Sequence, residues 1–282
     1  MEKIFFGLHI PKCAGTSVLS ELKRNYGDRI YQSTSLISNV RENKPDLLDD
    51  YPNLSHDGYF GHHFCDELLK IIKNDIFLFT FLRDPLDRAL SHYKYLNRMN
   101  LSVGLPEVEF EVFVKSIPSI TGFILDRFPG LIQKDKNVPR WMKAASVLKK
   151  FDYVGDSNDL ISFQNVFQEN FGVKLNLSIQ KNKAPKEGNE IDLDIKEALY
   201  CSLEDDILLY QWFKKLWHEH SKSPEKDSID SYLKSPLNDN RIFNFHASSM
   251  IAEFRANNDI NTLRELKFKN ERFNQLLSQR LS

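Results

Sequence analysis

The chain has 282 residues, of which 41% are hydrophobic and 12% aromatic, and this is enough apolar material for a full buried core. The formal net charge of −1 excludes a globally basic nucleic-acid-binding protein, so any preference for anions must be local. Three cysteines without C-x-x-C spacing argue against a disulfide framework and against structural zinc. No apolar run approaches the ~18 residues of a membrane span, and the N-terminus lacks a secretion signal, so we expect a cytoplasmic protein without a membrane span.

The chain opens on a pattern of strand, tight loop and helix. An apolar run predicts a strand over 3–10, and a helix is predicted over 16–26. The loop over 9–17 reads HIPKCAGTS. A helix start leaves backbone N–H groups unpaired and carries a partial positive charge, and Gly15 lets an anion approach the backbone closely. Lys12 adds a full charge three residues before Gly15, whereas a Walker A lysine follows the second glycine. The loop therefore predicts a phosphate-binding site whose lysine reaches the outermost group of a bound nucleotide.

A second strand and helix carry a different basic group. The continuous apolar run over 76–82 predicts a parallel strand that is covered on both faces, and Arg83 follows it. A helix is predicted over 85–99, with a proline in its first turn and an inward stripe of Leu86, Leu90 and Tyr93. Ser91 lies two turns into that helix. Arg83 and Ser91 together predict a site for one phosphate, formed by a guanidinium fork and a hydroxyl.

The rest of the chain continues the alternation of strands and helices. Short strands are predicted near 28–34, 59–64 and 153–155, and helices over 65–73, 107–117, 119–128, 139–150, 158–171 and 203–219. The alternation predicts an α/β fold, a P-loop-like parallel sheet flanked by helices, in one domain over 1–220. A linker or excursion over 221–240 and a helical C-terminal extension over 241–282 follow. The apolar stripe of that extension, at Leu263, Leu266, Phe273 and Leu277, predicts packing on the domain or self-association.

Both loop motifs resemble those of sulfotransferases that use 3′-phosphoadenosine 5′-phosphosulfate (PAPS). The family's 5′-phosphosulfate loop resembles PKCAGTS over 11–17, and its 3′-phosphate segment resembles FLRDPLDRALSHY over 81–93. The likeness is greatest to the carbohydrate branch, which includes the heparan sulfate and uronyl 2-O-sulfotransferases, because Gly61-His62 stands at a similar spacing before the second strand. The first hundred residues carry this resemblance well, and the rest of the chain carries it loosely.

The resemblance implies a function and a set of site residues. It implies transfer of a sulfuryl group from PAPS, without a metal, to a hydroxyl of a carbohydrate, with Lys12 stabilising the leaving phosphate and His62 acting as general base. A loop that reads QKNKAP over 180–185 resembles the family's later nucleotide-binding segment. The implied nucleotide-binding residues are Lys12, Cys13, Ala14, Gly15, Thr16, Ser17, Arg83, Ser91, Asn182 and Lys183.

The sequence leaves several alternatives open at the site. His63 adjoins His62, and in an extended segment the two side chains face opposite ways, so either one enters the cleft, or the pair is structural. Residues 127–150 hold seven basic residues and one acidic residue around Trp141. This stretch forms either a groove for an anionic oligosaccharide or a solvated helix face with a core tryptophan. Cys13 invites interpretation as a nucleophile, but sulfuryl transfer to a hydroxyl needs no covalent intermediate, and packing explains a small residue there.

Two other classes of function remain as alternatives. A P-loop phosphotransferase would need Mg²⁺ and an acidic residue to hold it. A nucleotide-binding scaffold without catalysis would lack Lys12 or a base, and this chain has both. The acceptor, the sulfated position and the oligomeric state are left open by the sequence.

Overall fold

The computed structural model describes residues 3–33, 56–62, 64–71, 75–132, 137–177 and 193–220. Its centre is a sheet of β1 (Lys3–Leu8), β2 (Ile30–Ser33), β3 (Gly58–Gly61), β4 (Asp75–Leu82) and β5 (Tyr153–Asp156). Neighbouring strands pair in parallel, in the spatial order β2-β3-β1-β4-β5. The helices of the described part are α1 (Gly15–Tyr26), α2 (Glu67–Ile71), α3 (Pro85–Ser102), α4 (Phe110–Lys115), α5 (Ile120–Arg127), α6 (Arg140–Leu148), α7 (Leu160–Phe171), α8 (Leu193–Ser202) and α9 (Glu204–His220). The predicted α/β fold with a parallel sheet flanked by helices is confirmed.

Aromatic rings fill the space between the sheet and the helices. Phe5 on β1 and Phe79 on β4 are fully buried, and the Phe79 ring lies 4.7 Å from that of Phe163 on α7. A Cβ at Gly7 would lie 2.4 Å from the Phe60 ring and 2.5 Å from the Phe79 ring, so only glycine leaves room for both. The central strands are covered by helices on both faces of the sheet, which explains why they are continuously apolar.

The buried face of α3 is wider than the predicted stripe. The predicted Leu86 and Tyr93 are half-buried and pack against an apolar cluster, and Leu90 is half-buried. The fully buried residues of the helix are Pro85, Arg88, Ala89 and Asn97. The reason is that two polar residues of the buried face have partners. Arg88 pairs with Asp206 on α9, and the Asn97 Oδ1 atom accepts a 2.9 Å hydrogen bond from the backbone of Val108. Hydrophobic periodicity does not detect a buried face of this kind.

The C-terminal part of the described chain adds one helix that the sequence pattern did not predict. α8 precedes α9, and Leu199 and Leu203 pack in a second apolar cluster with Ala89, Phe113 and Val114. The predicted inward positions around α9 are confirmed in part, since Leu203, which directly precedes the helix, and Phe213 are buried while Ile207 and Tyr210 are half-buried. The predicted linker over 221–240 and extension over 241–282 lie outside the described residues. Among the described helices, none is both long and apolar enough to cross a membrane.

The ends of the strands determine where the candidate site lies. β1 ends at Leu8 and β3 at Gly61, earlier than predicted, so His9 and His62 directly follow their strands. Arg83 follows β4 in the same way. Because β3, β1 and β4 are adjacent and parallel, these residues meet at the carboxyl edge of the sheet, where open α/β sheets bind ligands.

Candidate functional site

The loop between β1 and α1 has an unusual backbone. Lys12 and Ala14 have φ of 69° and 61°, in the left-handed region that costs a residue with a side chain on the order of 1–3 kcal/mol. Ala14 is the N-cap of α1, and its side chain makes no capping bond. In the described part of the chain, the backbone N–H groups of Ala14, Gly15 and Thr16 have no hydrogen-bond partner. The loop therefore presents three successive donors at the positive end of a helix, which suits an anion.

Arg83 joins this loop to the end of β4. Its Nη1 atom donates a long hydrogen bond of 3.4 Å to the backbone oxygen of Lys12. Its Nε atom is buried and has no partner within the described ranges. A buried N–H of a guanidinium is costly to leave unpaired, so this atom indicates a place for an acceptor that the protein itself does not supply.

The Lys12 side chain lies on an aromatic ring. Its Nζ atom is 4.4 Å from the centroid of the Tyr95 ring on α3, a cation–π distance. Burial lowers the pKa of Lys12, and the nearby charges of Arg98 and Arg83 lower it further. The loop mouth is thus electropositive, and an anion placed there would relieve the repulsion among three cations.

Ser91 lies on the helix that starts directly after Arg83. Asp84 caps this helix, because its Oδ1 atom accepts hydrogen bonds of 3.0 Å from the backbone N–H groups of Leu86 and Asp87. Pro85 occupies the first helical position, as predicted. Ser91 is half-buried two turns further on. Its pairing with Arg83 around one phosphate remains a prediction.

Other residues of the loop have distinct environments. Cys13 is buried, and its thiol lies 3.8 Å from the backbone oxygen of Pro11. Burial raises the pKa of Cys13 to about 12, so the thiol stays protonated near neutral pH and is a poor nucleophile. Thr16 is exposed and Ser17 is buried. Cys13 therefore contributes backbone and packing to the loop, in agreement with the packing interpretation.

His62 is oriented by backbone groups. Its Nδ1 atom lies 2.6 Å from the carbonyl oxygen of His9. A carbonyl only accepts hydrogen bonds, so Nδ1 carries the hydrogen, and in the neutral ring Nε2 is the acceptor nitrogen. The backbone oxygen of His62 accepts a 2.7 Å bond from the Nε atom of Arg127. This arrangement gives the imidazole one tautomer, with Nε2 as the basic atom.

His9 is the site residue that sequence reasoning missed. Its ring stacks on that of His62, with centroids 4.0 Å apart and planes inclined by 24°. Burial lowers the pKa of His9 well below 6.5, and the proximity of His62 and Lys12 lowers it further. The sequence places a histidine directly after each of two strands, but their contact follows from the register, in which Leu8 lies opposite Gly61.

Several predicted residues cannot be placed at the site. His63, Asn182 and Lys183 lie outside the described residues, so their roles stay predictions. In the basic stretch, Trp141 is partly buried and packs against the main core, and Arg140 lies 3.9 Å from Asp205. These contacts favour a core tryptophan over a sugar-stacking one.

The described residues contain no group of histidine, cysteine and acidic side chains arranged to hold a metal ion.

A buried ion pair holds the helix that carries Ser91 and Tyr95 in place. Arg88 lies 3.7 Å from Asp206, whose carboxylate accepts bonds of 2.7 and 2.8 Å from the backbone N–H groups of Ile120 and Thr121. Arg88 also donates to the backbone oxygen of Pro118. The pair fixes α3, and with it Tyr95 and Ser91, against α5 and α9.

One family model matches the N-terminal part of this chain. Residues 2–117 match the sequence model of the sulfotransferase family. The matched range contains the loop with Lys12, the end of β3 with His62, and the segment with Arg83 and Ser91. The match spans 116 of the 282 residues, so the likeness to this family concerns the N-terminal part of the chain.

Individual proteins similar to this chain are distant. An uncharacterized protein of Archaeoglobus fulgidus is 23% identical over 248 residues, which cover 77% of this chain and 98% of that protein. A sulfotransferase from Alicyclobacillus acidocaldarius has a crystal structure with a TM-score of 0.40 and 12% identity, covering 83% of this chain and all of that one. The mouse sulfotransferase SULT7A1, crystallised with PAP, has a TM-score of 0.36 and 15% identity, covering 83% of this chain and 89% of that one.

Proposed function

We propose that this protein is a PAPS-dependent sulfotransferase that transfers a sulfuryl group to a hydroxyl of a carbohydrate acceptor. The observation that carries the proposal is the meeting of three features at one edge of the sheet. These are a strained loop with unpaired N–H groups and Lys12, a buried and unpaired Arg83 Nε atom, and a histidine with a defined tautomer. The family match over residues 2–117 supports the reaction class.

The residues present fit a nucleotide that carries phosphate groups at both the 5′ and the 3′ positions of its ribose. The loop N–H groups of Ala14, Gly15 and Thr16 suit the 5′-phosphosulfate, and the unpaired Nε atom of Arg83 suits a 3′-phosphate. Ser91, Asn182 and Lys183 belong to the proposed nucleotide site through the resemblance. When bound, PAPS supplies the sulfuryl group, and the leaving group is the nucleotide PAP, which departs through its 5′-phosphate oxygen.

Lys12 is proposed to stabilise the charge that develops on the leaving phosphate. Its ammonium is placed at the loop mouth by the Tyr95 ring and by the left-handed backbone of the loop. A preorganised cation contributes most where charge grows only in the transition state. Lys12 therefore acts on the rate more than on nucleotide affinity.

His62 is proposed to remove the acceptor proton. The Nδ1 hydrogen is bound to the His9 carbonyl oxygen, so Nε2 is the ring nitrogen that would accept the proton as the hydroxyl attacks. An unperturbed histidine pKa of about 6.5 keeps such a base mostly neutral at pH 7. His63, which adjoins it, is the alternative base.

The carbohydrate acceptor is proposed from the placement of Gly61-His62, which resembles the 2-O branch. Arg98 is exposed on α3, and its charge affects Lys12, so the cation at this mouth suits an acceptor with an acidic group. We therefore propose an anionic oligosaccharide as the acceptor class.

The experiment combines nucleotide binding with product analysis. Calorimetric titration should show PAP, the desulfated product nucleotide, binding far more tightly than AMP, ATP or GTP. ³⁵S-labelled PAPS, offered with a panel of unsulfated and partly sulfated glycans, should give a labelled glycan, and the reaction should persist in EDTA. A preference for ATP with strict Mg²⁺ dependence would instead indicate a phosphotransferase. PAP binding without any sulfated glycan would indicate either a binding scaffold or an enzyme with another acceptor class. A second assay with small alcohols and phenols separates the two, because only the enzyme would sulfate them.

A further inference from the structure

His9 lies between the anion-binding loop and His62 and contacts both. A Cβ placed on Gly15 would lie 1.7 Å from the Nε2 atom of His9, so the imidazole edge occupies the space beside that glycine. On its faces the same ring stacks against His62 at 4.0 Å and Phe60 at 5.4 Å. Its backbone oxygen is the acceptor for the His62 Nδ1 hydrogen. One residue thus contacts the loop with its ring edge and the proposed base with its ring face and carbonyl.

The His9 ring has no role in the chemistry proposed above. Its Nδ1 atom is buried and has no hydrogen-bond partner among the described residues. Burial and two basic neighbours, His62 and Lys12, keep the ring neutral, so it carries no charge toward a bound phosphate. The His9 ring can therefore act at the site only through its shape and its position between the loop and His62.

We propose that His9 is a positioning residue that couples the anion-binding loop to the proposed base. This inference rests on the proposed function. The imidazole is rigid, and packed interiors transmit displacement because they contain few voids. The ring therefore holds Gly15, and with it the loop that carries Lys12, at a fixed distance from the ring of His62. Reactive groups that must meet within a few tenths of an ångström need this kind of support.

The coupling has two consequences that do not require turnover. Removal of the ring frees the loop next to Gly15, so His9→Ala should weaken PAP binding by roughly 5- to 20-fold. The His62 ring also loses its stacking partner, so it should rotate more freely and its ring signals should broaden, while the Nδ1–H tautomer persists because the His9 backbone carbonyl remains. His9→Asn keeps a small planar polar group but does not reach Gly15, and it should behave like His9→Ala.

The contact with Gly15 allows a complementary substitution. Gly15→Ala places a methyl group where the His9 ring lies, so it should reduce PAP affinity strongly in the otherwise unmodified protein. In the His9→Ala background the methyl group has space, and the same change should cost several-fold less. Such non-additivity is expected only for residues in direct contact.

The experiment uses the full chain throughout. Calorimetry measures PAP affinity for the single and double variants, and NMR spectra of labelled histidine rings report the line widths and shifts of the His62 ring. His56→Ala is the matched control, because that ring is also half-buried with an unpaired Nδ1 atom but packs on Tyr31 and Tyr59, away from the loop. It should match the unmodified protein in PAP affinity and in the His62 signals. Thermal unfolding identifies any variant that fails to fold, and His9→Asn then replaces His9→Ala.

The outcomes separate this inference from the proposed function. If Gly15→Ala costs the same in both backgrounds, or if the His62 ring signals are unchanged without the His9 ring, the coupling does not exist. A loss of PAP affinity alone, with unchanged His62 signals, also refutes it. Selective PAP binding by the unmodified protein together with any of these results overturns the role of His9 and leaves the sulfotransferase proposal standing. Failure of the unmodified protein to bind PAP overturns both.

Discussion

Arg83→Ala tests the part of the site that distinguishes PAP from other nucleotides. The substitution removes two things, a 3.4 Å hydrogen bond from Nη1 to the Lys12 carbonyl and the buried, unpaired Nε atom. The first bond is long and contributes little to the fold of the loop. The second is the group proposed to meet a 3′-phosphate, so the main effect should fall on nucleotides that carry one.

The expected magnitude follows from the charge on both partners. A hydrogen bond between a guanidinium and a phosphate contributes roughly 1.5–3 kcal/mol, and every 1.4 kcal/mol corresponds to about tenfold in affinity. Arg83→Ala should therefore weaken PAP binding by roughly 10- to 150-fold. AMP lacks the 3′-phosphate, and its affinity should change by no more than about threefold, since only the weak bond to the loop is lost.

The assay is calorimetric titration of PAP and AMP into the full chain at two salt concentrations. Arg98→Ala is the matched control, because Arg98 is exposed and also contributes positive charge near Lys12. A general loss of charge lowers the affinities for both nucleotides alike and weakens at high salt. Arg83→Lys keeps the charge without the planar fork and should give an intermediate PAP affinity.

One result would refute this reasoning. If Arg83→Ala reduces PAP and AMP affinity by the same factor, and Arg98→Ala does so as well, the guanidinium acts only as a distant charge. The 3′-phosphate would then have to be bound elsewhere, and the unpaired Nε atom of Arg83 would have another partner.

Four further results are expected. Lys12→Ala should lower kcat by roughly 10²–10³-fold in EDTA and PAP affinity by less, as measured by ³⁵S transfer and calorimetry. His62→Ala should lower kcat by roughly 10²–10⁴-fold with PAP affinity intact, and the rate of the unmodified enzyme should rise with pH through the histidine range, because only the neutral ring accepts a proton. Asp206→Ala leaves a buried guanidinium unpaired and should reduce the free energy of unfolding in urea by about 3–5 kcal/mol. Cys13 should resist iodoacetamide at pH 8, because a pKa of about 12 leaves almost no thiolate, whereas exposed Cys201 should be alkylated, as mass spectrometry will show.

A contrary result in each experiment would contradict one specific proposal. Strict Mg²⁺ dependence of turnover would favour the phosphotransferase alternative over the proposed role of Lys12. Full activity of His62→Ala with loss of activity in His63→Ala would move the base by one residue. Alkylation of Cys13 at the rate of Cys201 would mean that the loop opens readily in solution.

The strands and the loop motifs could be predicted because their signals are local. The apolar runs before Lys12 and Arg83 are strand-length and end at turn residues, so β1 and β4 are found within two residues of the predicted bounds. Parallel pairing then brings their carboxyl ends together without further information. This is why sequence reasoning alone could assemble a phosphate site from two segments far apart in the chain.

Contacts that depend on register and on distant partners could not be predicted. The stacking of His9 on His62 requires that β1 and β3 be neighbours with Leu8 opposite Gly61. Burial of Arg88 requires a carboxylate from a helix much later in the chain. A lone arginine on a helix with leucines nearby gives no sign of this, so hydrophobic periodicity found Leu86 and Tyr93 but missed the polar part of the buried face of α3.

Gly15 has two possible explanations, and they give different support to a phosphate site. From sequence, the glycine indicates a backbone that an anion can approach, as in other phosphate loops. In the structure it has a second cause, since the His9 ring fills the place of a side chain there. A glycine required by its own protein's packing is weaker support for a phosphate site than one that faces open space. The better support comes from Lys12 and Ala14, which adopt left-handed conformations although neither is a glycine. An anion held by the N–H groups that this backbone presents would offset the cost of both conformations.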